Sequence, residues 1–304
     1  MYDLMIIGGG PAGMTAAVYA ARKKLNAVLL SKDVGGQVNW TMGVENYMGY
    51  QFVGGAELMK KFEEQVKQFP IEMKIGQPVT ELSRISGGFV ARTADEKEYR
   101  AKAVIIASGK RPRPLNVTGE EKLKGRGVTY CSICDGPLFA DMKVAVIGGG
   151  NSALEAADDM IKIASQVYLV SLTKLTGDQV LIDRVKTAKN MTIFLEHEVL
   201  EITGDKLVEG VIIRDLKSKE EKKLEVSGIF IEIGLIPNSD FAREVAPLNR
   251  FGEVEVSCNN ETRVAGLFAA GDVTNVPEKQ IVVAAGEGAK AALQAHRYLQ
   301  RLTM

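Results

Sequence analysis

Gly8-Gly9-Gly10-Pro11-Ala12-Gly13 follows the apolar run Leu4 to Ile7 and precedes Thr15-Ala16-Ala17-Val18-Tyr19-Ala20. This order predicts a buried strand over Tyr2 to Ile7, a tight turn and a helix. In a G-x-G-x-x-G turn, Gly8 permits the bend, Gly10 lets backbone approach a pyrophosphate, and Gly13 lets the helix pack on the strand. The N-terminus of that helix offers free N–H groups to phosphate charge. The motif alone is a weak signal, but here a strand precedes it and a helix follows, which is the context it requires. Ala27 to Leu30 reads as the second strand. An acid that grips a ribose usually ends such a strand; here Ser31 and Lys32 stand there, with Asp33 beyond.

Working outward, the pattern returns. Val144 to Ile147 is a second buried strand, and Gly148-Gly149-Gly150-Asn151-Ser152-Ala153 a second phosphate turn, with Ala153 in place of the third glycine. A helix to about Ile163 and a strand Val167 to Val170 follow. Each turn leads on to short strands with polar turns: from Ile71 to Arg100 in the first half, and from Met191 to Glu225 in the second. Each half then delivers a buried strand that ends at glycine, Ala103 to Gly109 and Ile229 to Gly234, before prolines break the chain at Arg111 to Pro114 and at Pro237. Self-similarity at about 140 residues is architecture rather than composition. The expected fold is α/β, with two Rossmann-like, three-layer dinucleotide-binding domains. A third segment, Gly266 to Asp272, reads as a buried strand that carries an aspartate at its end. A helix rich in small residues follows it, starting near Gln280 and Ile281.

Composition narrows the classes. The chain has 304 residues, 46% of them hydrophobic and 25% charged, with 38 basic and 38 acidic residues. There is no excess of positive charge for a nucleic acid or an anionic membrane. The first apolar run is too short for a signal peptide or a membrane span. Three cysteines are not a secreted disulfide framework. A cytoplasmic globular protein is expected.

Two of those cysteines form Cys131-Ser132-Ile133-Cys134, followed by Asp135. A lone CxxC reads as half of a zinc site, as a redox pair, or as two unrelated core thiols. Zinc needs about four ligands, and Cys258, His197 and His296 are scattered, so no metal site is assigned. The redox reading gains weight from the dinucleotide turns on either side.

The chain resembles the low-molecular-weight thioredoxin reductase family over its whole length. Within that family it is most similar to the flavoprotein part of the F-type component of alkyl hydroperoxide reductase. The resemblance rests on Gly8 to Gly13, Gly35-Gly36-Gln37, Glu45-Asn46-Tyr47, Tyr130 to Phe139, Val144 to Ala153, Gly271-Asp272 and Lys279-Gln280-Ile281. The N-terminal tandem thioredoxin-like domain of the longer relatives is expected to be absent. The resemblance implies an FAD domain in two parts, 1–112 and 239–304, split by an inserted NAD(P)-type domain, 113–238, that carries the CxxC.

Roles follow by motif. Gly8, Gly10 and Gly13 would hold the FAD pyrophosphate, with Pro11, Ala12, Gly36, Gly109, Gly271 and Lys279 beside the cofactor. Gln37 and Asn46 would line the flavin, Asp272 would bind the ribitol, and Gln280 with Ile281 would touch the pyrimidine end of the ring. Cys134 would lie over the flavin, Cys131 would attack the partner's disulfide, and Asp135 would move protons. The resemblance also implies a homodimer, a swing of one domain against the other, and a thioredoxin- or glutaredoxin-like partner.

The electron donor turns on the end of the strand Val167 to Val170. The NADPH-using relatives carry basic residues there, and the hydroperoxide reductase relatives a glutamate. This chain has Ser171-Leu172-Thr173-Lys174. With Gly148, Gly150, Asn151, Ser152 and Ala153 intact and Ser171 offering one ribose hydrogen bond, NADH is the expected donor and NADPH is not. Ferredoxin or another non-nucleotide donor is the rival. A non-catalytic flavin-binding interaction protein is the reading outside enzymology, against which the flanked CxxC argues.

Overall fold

The computed structural model describes residues 1–41 and 43–302; Thr303 and Met304, at the end of the expected 239–304 segment, lie outside it. The chain forms two compact units. Met1–Asn39, Gly55–Arg111 and Ile236–Met304 make the first, and Trp40–Gly54 and Pro112–Leu235 the second.

In the first unit the sheet runs in the order Glu72–Ile75, Ala27–Ser31, Tyr2–Ile7, Glu98–Ile106, Gly88–Thr93, Val79–Ile85, with Leu267–Ala269 also pairing with Glu98–Ile106. Tyr2–Ile7 is parallel to both of its neighbours. Such a strand is covered on both faces and reads as an unbroken apolar run. Leu4 and Ile6 enter one core, and Met5 and Ile7 the other. Helices Pro11–Arg22 and Ile281–Leu302 pack on the first of these faces. A Cβ on Gly288 would fall 2.0 Å from the Ala12 carbonyl oxygen, so the two helices meet at backbone contact.

The second unit repeats the plan. Its sheet runs Met191–Leu195, Gln166–Ser171, Lys143–Ile147, Gly228–Ile231, Val128–Thr129, all parallel. Val144 and Val146 face one core, and Ala145 and Ile147 the other. A three-stranded antiparallel sheet of His197–Thr203, Gly210–Asp215 and Glu221–Glu225 adjoins it in sequence. The α/β class with two Rossmann-like units is as expected. The helix after the second turn ends at Met160 rather than near Ile163. Helix Gln179–Thr187 was not expected from sequence. Met191–Leu195 joins the main sheet instead of the antiparallel set.

The chain passes between units at Asn39/Trp40, Gly54/Gly55, Arg111/Pro112 and Leu235/Ile236. The segments Lys110–Pro112 and Leu235–Pro237, at the last two crossings, pair as a two-stranded ribbon. Beside it, the Asn238 N–H donates to the Gly109 carbonyl at 2.9 Å, and Arg111 donates to Asn238 Oδ1 at 2.7 Å. Among the described residues no helix is long and apolar enough to cross a membrane.

Candidate functional site

Each unit presents a glycine turn at the carboxyl end of a central parallel strand, Tyr2–Ile7 in the first and Lys143–Ile147 in the second. In the first unit Gly8 has φ +121°, and a Cβ there would fall 2.2 Å from the Ala107 carbonyl oxygen. At Gly13 a Cβ would fall 1.8 Å from the Gly8 carbonyl oxygen, while one at Gly10 would meet nothing within 4 Å. Two glycines therefore serve packing and the third opens the backbone outward. Pro11 opens the helix, Gly10 is its N-cap, and no side chain caps it. A helix start with uncapped N–H groups facing open space suits a pyrophosphate. Gly148 and Gly150 repeat this arrangement before Asn151–Met160, again with no side-chain cap. Ser152 and Ala153 lie in the first turn of that helix.

The serines that replace the ribose acids are buried. Ser31 is 7% exposed and Ser171 2% exposed. Cβ atoms on Gly9 and Gly149 would fall 2.8 Å and 2.3 Å from the Ser31 and Ser171 hydroxyl oxygens. Ser31 donates to the Asp33 carbonyl at 2.6 Å, and Ser171 accepts from the Thr173 N–H at 3.4 Å. Each hydroxyl thus makes one hydrogen bond within its own turn, and the Ser171 bond leaves that hydroxyl's proton available. Beyond Ser171 lies a cleft of about 430 Å³ lined by Leu172, Thr173, Lys174, Thr176, Glu196, Leu216 and Lys217. Glu196 and Lys217 form an ion pair. Neither stands out in the local sequence, because Glu196 comes from the junction of two strands and Lys217 from a hairpin turn.

Two lysines act on one buried carboxylate of the first unit. Asp272 follows strand Leu267–Ala269 and takes no hydrogen bond among the described residues. Burial pushes it upward, against the pull of Lys279 and Lys110. Lys110 is buried and paired with Glu253 Oε1 at 2.5 Å. Lys279 Nζ donates to the Thr274 carbonyl at 2.7 Å; burial first, then Lys110, push its pKa down. Gly271 has φ +77° and donates its N–H to Glu287 at 2.7 Å. Gly109 has φ +66° with nothing within 4 Å of a Cβ. Gln280 precedes helix Ile281–Leu302, and its carbonyl accepts from Ala284 N–H at 2.9 Å. Gly36 and Gln37 open the short 3-10 helix Gly36–Trp40. Asn46 falls in the segment that groups with the second unit.

Cys131 and Cys134 are joined as a disulfide at the short helix Ser132–Asp135. Cys131 caps this helix, its Sγ accepting from the Cys134 N–H at 3.2 Å. A donor aimed at that sulfur favours the thiolate once the bond is reduced. Asp135 is 4% exposed. Glu232, at the end of strand Gly228–Ile231, accepts from the Ser132 N–H. Burial pushes its pKa up to about 8 against that hydrogen bond, and Glu155 adds repulsion. Cys258 is a free, exposed thiol. Among the described residues no three metal-binding side chains cluster.

Two dinucleotide folds and a disulfide at the edge of the second define a disulfide oxidoreductase. The family model for pyridine nucleotide-disulphide oxidoreductases matches residues 2–288, and the chain belongs to that family. The F-type component of alkyl hydroperoxide reductase from Staphylococcus aureus (strain MSSA476) is 40% identical over 301 residues, covering 99% of this chain and 59% of the relative. That of Pseudomonas putida is 41% identical over 304 residues, 99% and 58%. The chain therefore spans less than two thirds of these relatives. The thioredoxin reductase of Streptococcus pyogenes MGAS5005 superposes with a TM-score of 0.93 at 36% identity, covering 99% of both chains.

Proposed function

We propose that the chain passes electrons from NADH, by way of FAD, to the Cys131–Cys134 disulfide and on to a thioredoxin- or glutaredoxin-like protein. The observation that carries this reading is the CxxC disulfide in a unit with its own dinucleotide turn, in a chain that carries a second such turn. The residues fit the cofactors: Gly10 and Gly150 face open space at uncapped helix starts, and Asp272 is a buried acceptor that a ribitol hydroxyl could use. Bound FAD would supply the two-electron relay between nucleotide and disulfide.

The chain's own groups do the rest. Cys131, capping its helix, is the thiolate that attacks the partner, and Cys134 resolves the mixed disulfide. Asp135 supplies the proton that the expelled thiolate needs. On the nucleotide side, Glu196 is the carboxylate nearest in kind to the missing ribose acid.

The donor is tested by mixing the oxidised, FAD-loaded protein anaerobically with each nucleotide and following absorbance near 450 nm. NADH should bleach the flavin faster than NADPH. If millimolar NADH leaves it yellow while dithionite bleaches it, the nucleotide reading fails. The thiol roles are tested separately. Reduced Cys134→Ser should hold a thioredoxin-like partner as a stable mixed disulfide, and Cys131→Ser should not.

A further inference from the structure

Val128–Thr129 is the edge strand of the second unit's sheet, and Thr129 is in register with Phe230 of the neighbouring strand. That pairing holds Thr129 rigidly two residues before the redox pair. Thr129 is 7% exposed and Asp135 4% exposed. The Thr129 hydroxyl accepts from the Cys131 N–H at 3.3 Å and is hydrogen-bonded to Asp135 Oδ2. A threonine hydroxyl has one proton. With Asp135 ionised that proton points at the carboxylate, and the chain runs from Cys131 N–H to Thr129 and from Thr129 O–H to Asp135; a protonated Asp135 can donate to the second lone pair of the same hydroxyl.

We infer that Thr129 is a positioning residue for proton delivery, tying the Asp135 carboxyl to the backbone of the attacking cysteine. The inference rests on Asp135 being the proton donor of the proposed reaction. In that reaction the Cys131 thiolate attacks one sulfur of the acceptor disulfide. A Cys131–acceptor S–S bond forms, the acceptor's own S–S bond breaks, and the expelled thiolate takes a proton from Asp135. The Cys134 thiolate then attacks Cys131 Sγ, which restores the Cys131–Cys134 bond and expels the second acceptor sulfur as a thiolate that takes its proton from solvent. The two electrons come from the reduced pair.

A hydroxyl donor bonds a carboxylate more strongly than a neutral acid. The Thr129 bond therefore tightens as Asp135 gives up its proton, so it favours the step itself and not only the resting state.

The leaving group provides the test. A nitrobenzoate thiolate is a weak base and leaves without a proton, whereas an alkyl thiolate needs one. The FAD-loaded full chain, reduced with dithiothreitol and desalted, is mixed with 5,5′-dithiobis(2-nitrobenzoate) or with bis(2-hydroxyethyl) disulfide. Thr129→Val should slow reduction of the alkyl disulfide about ten-fold or more, and that of the aromatic one by less than about two-fold. Thr129→Ser, which keeps the hydroxyl, should recover most of the lost rate. Asp135→Asn should show the same selective loss, at least as large. If Thr129→Val slows both acceptors equally and Thr129→Ser restores neither, Thr129 is merely structural and the inference is wrong. It is equally wrong if Asp135→Asn is selective while Thr129→Val is not. If Asp135→Asn spares both acceptors, the acid role of Asp135 itself falls, and Thr129 falls with it.

Discussion

The two glycine turns are built alike but rest on different floors. Beneath Gly8 lies the backbone of Ala107, and beneath Gly148 the backbone of Glu232, each at the end of the neighbouring parallel strand. The first unit thus has a methyl group where the second has a carboxyl hydrogen-bonded to the redox helix. The third positions differ too, Gly13 against Ala153. The same motif serves tight packing in one unit. In the other it adjoins a titratable group that touches the disulfide's own helix.

Exchanging the third positions should give the largest effect. At Gly13 a Cβ would lie 1.8 Å from a carbonyl oxygen, and backbone cannot yield as a flexible side chain does. Gly13→Ala should cost about 3 kcal/mol or more and lose bound flavin, measured by thermal melting and by absorbance per mole of protein. Ala153→Gly, the reverse exchange, should cost about 1 kcal/mol, the helix penalty of glycine. Equal losses from the two would show that the turns are packed alike after all.

Glu232→Gln probes the floor of the second turn. Below pH about 4.5 both folded and unfolded states carry the proton, and its burial costs nothing extra. As pH rises from about 4.5 to about 8 the unfolded chain ionises while the folded one keeps its proton, so the native protein loses stability. Above about 8 the loss is complete. Glutamine keeps an acceptor for the Ser132 N–H and removes the penalty. The variant should melt with the parent near pH 4 and gain up to about 3 kcal/mol by pH 8, allowing for partial exposure. A difference independent of pH would contradict the shift.

Glu196→Gln tests the cleft beyond Ser171. NADH should bind about five-fold more weakly. Lys217, released from its ion pair, should make NADPH relatively better; titration of the protein with each nucleotide measures both. An unchanged NADH affinity would rule out the proposed ribose contact of Glu196. The smallest effect belongs to Cys258→Ser, for which turnover should stay within about two-fold, since its neighbours in sequence supply neither a base nor a second thiol. A large loss in a folded variant would give that thiol a role.

The legible part of the molecule was the local part. Glycine turns, apolar strands and proline breaks each announce themselves within a few residues, and they located the central strands of both units. What escaped depends on distant partners. Ser171 reads in sequence as an open ribose ligand, whereas its burial beside Gly149 comes from the fold. Glu196 and Lys217 are unremarkable surface charges until two connections bring them to one cleft. Thr129 gains meaning only from the hydrogen bond to Asp135, and Glu232 only from the helix that begins beside it. Helix Gln179–Thr187 was missed because it follows a polar loop and buries just Ile182 and Val185.

The ribbon of Lys110–Pro112 and Leu235–Pro237 has a consequence for how such a chain could arise. The inserted stretch leaves and returns at neighbouring points, with Gly109 already stitched to Asn238. All residues of both first-unit cores lie outside 112–235. Residues 112–235 could therefore be cut out and Arg111 joined to Ile236 by a short hairpin, without removing a strand from the remaining seven-stranded sheet. Trp40–Gly54 also belongs to the second unit, so a transferable cassette would carry two stretches, 40–54 and 112–235.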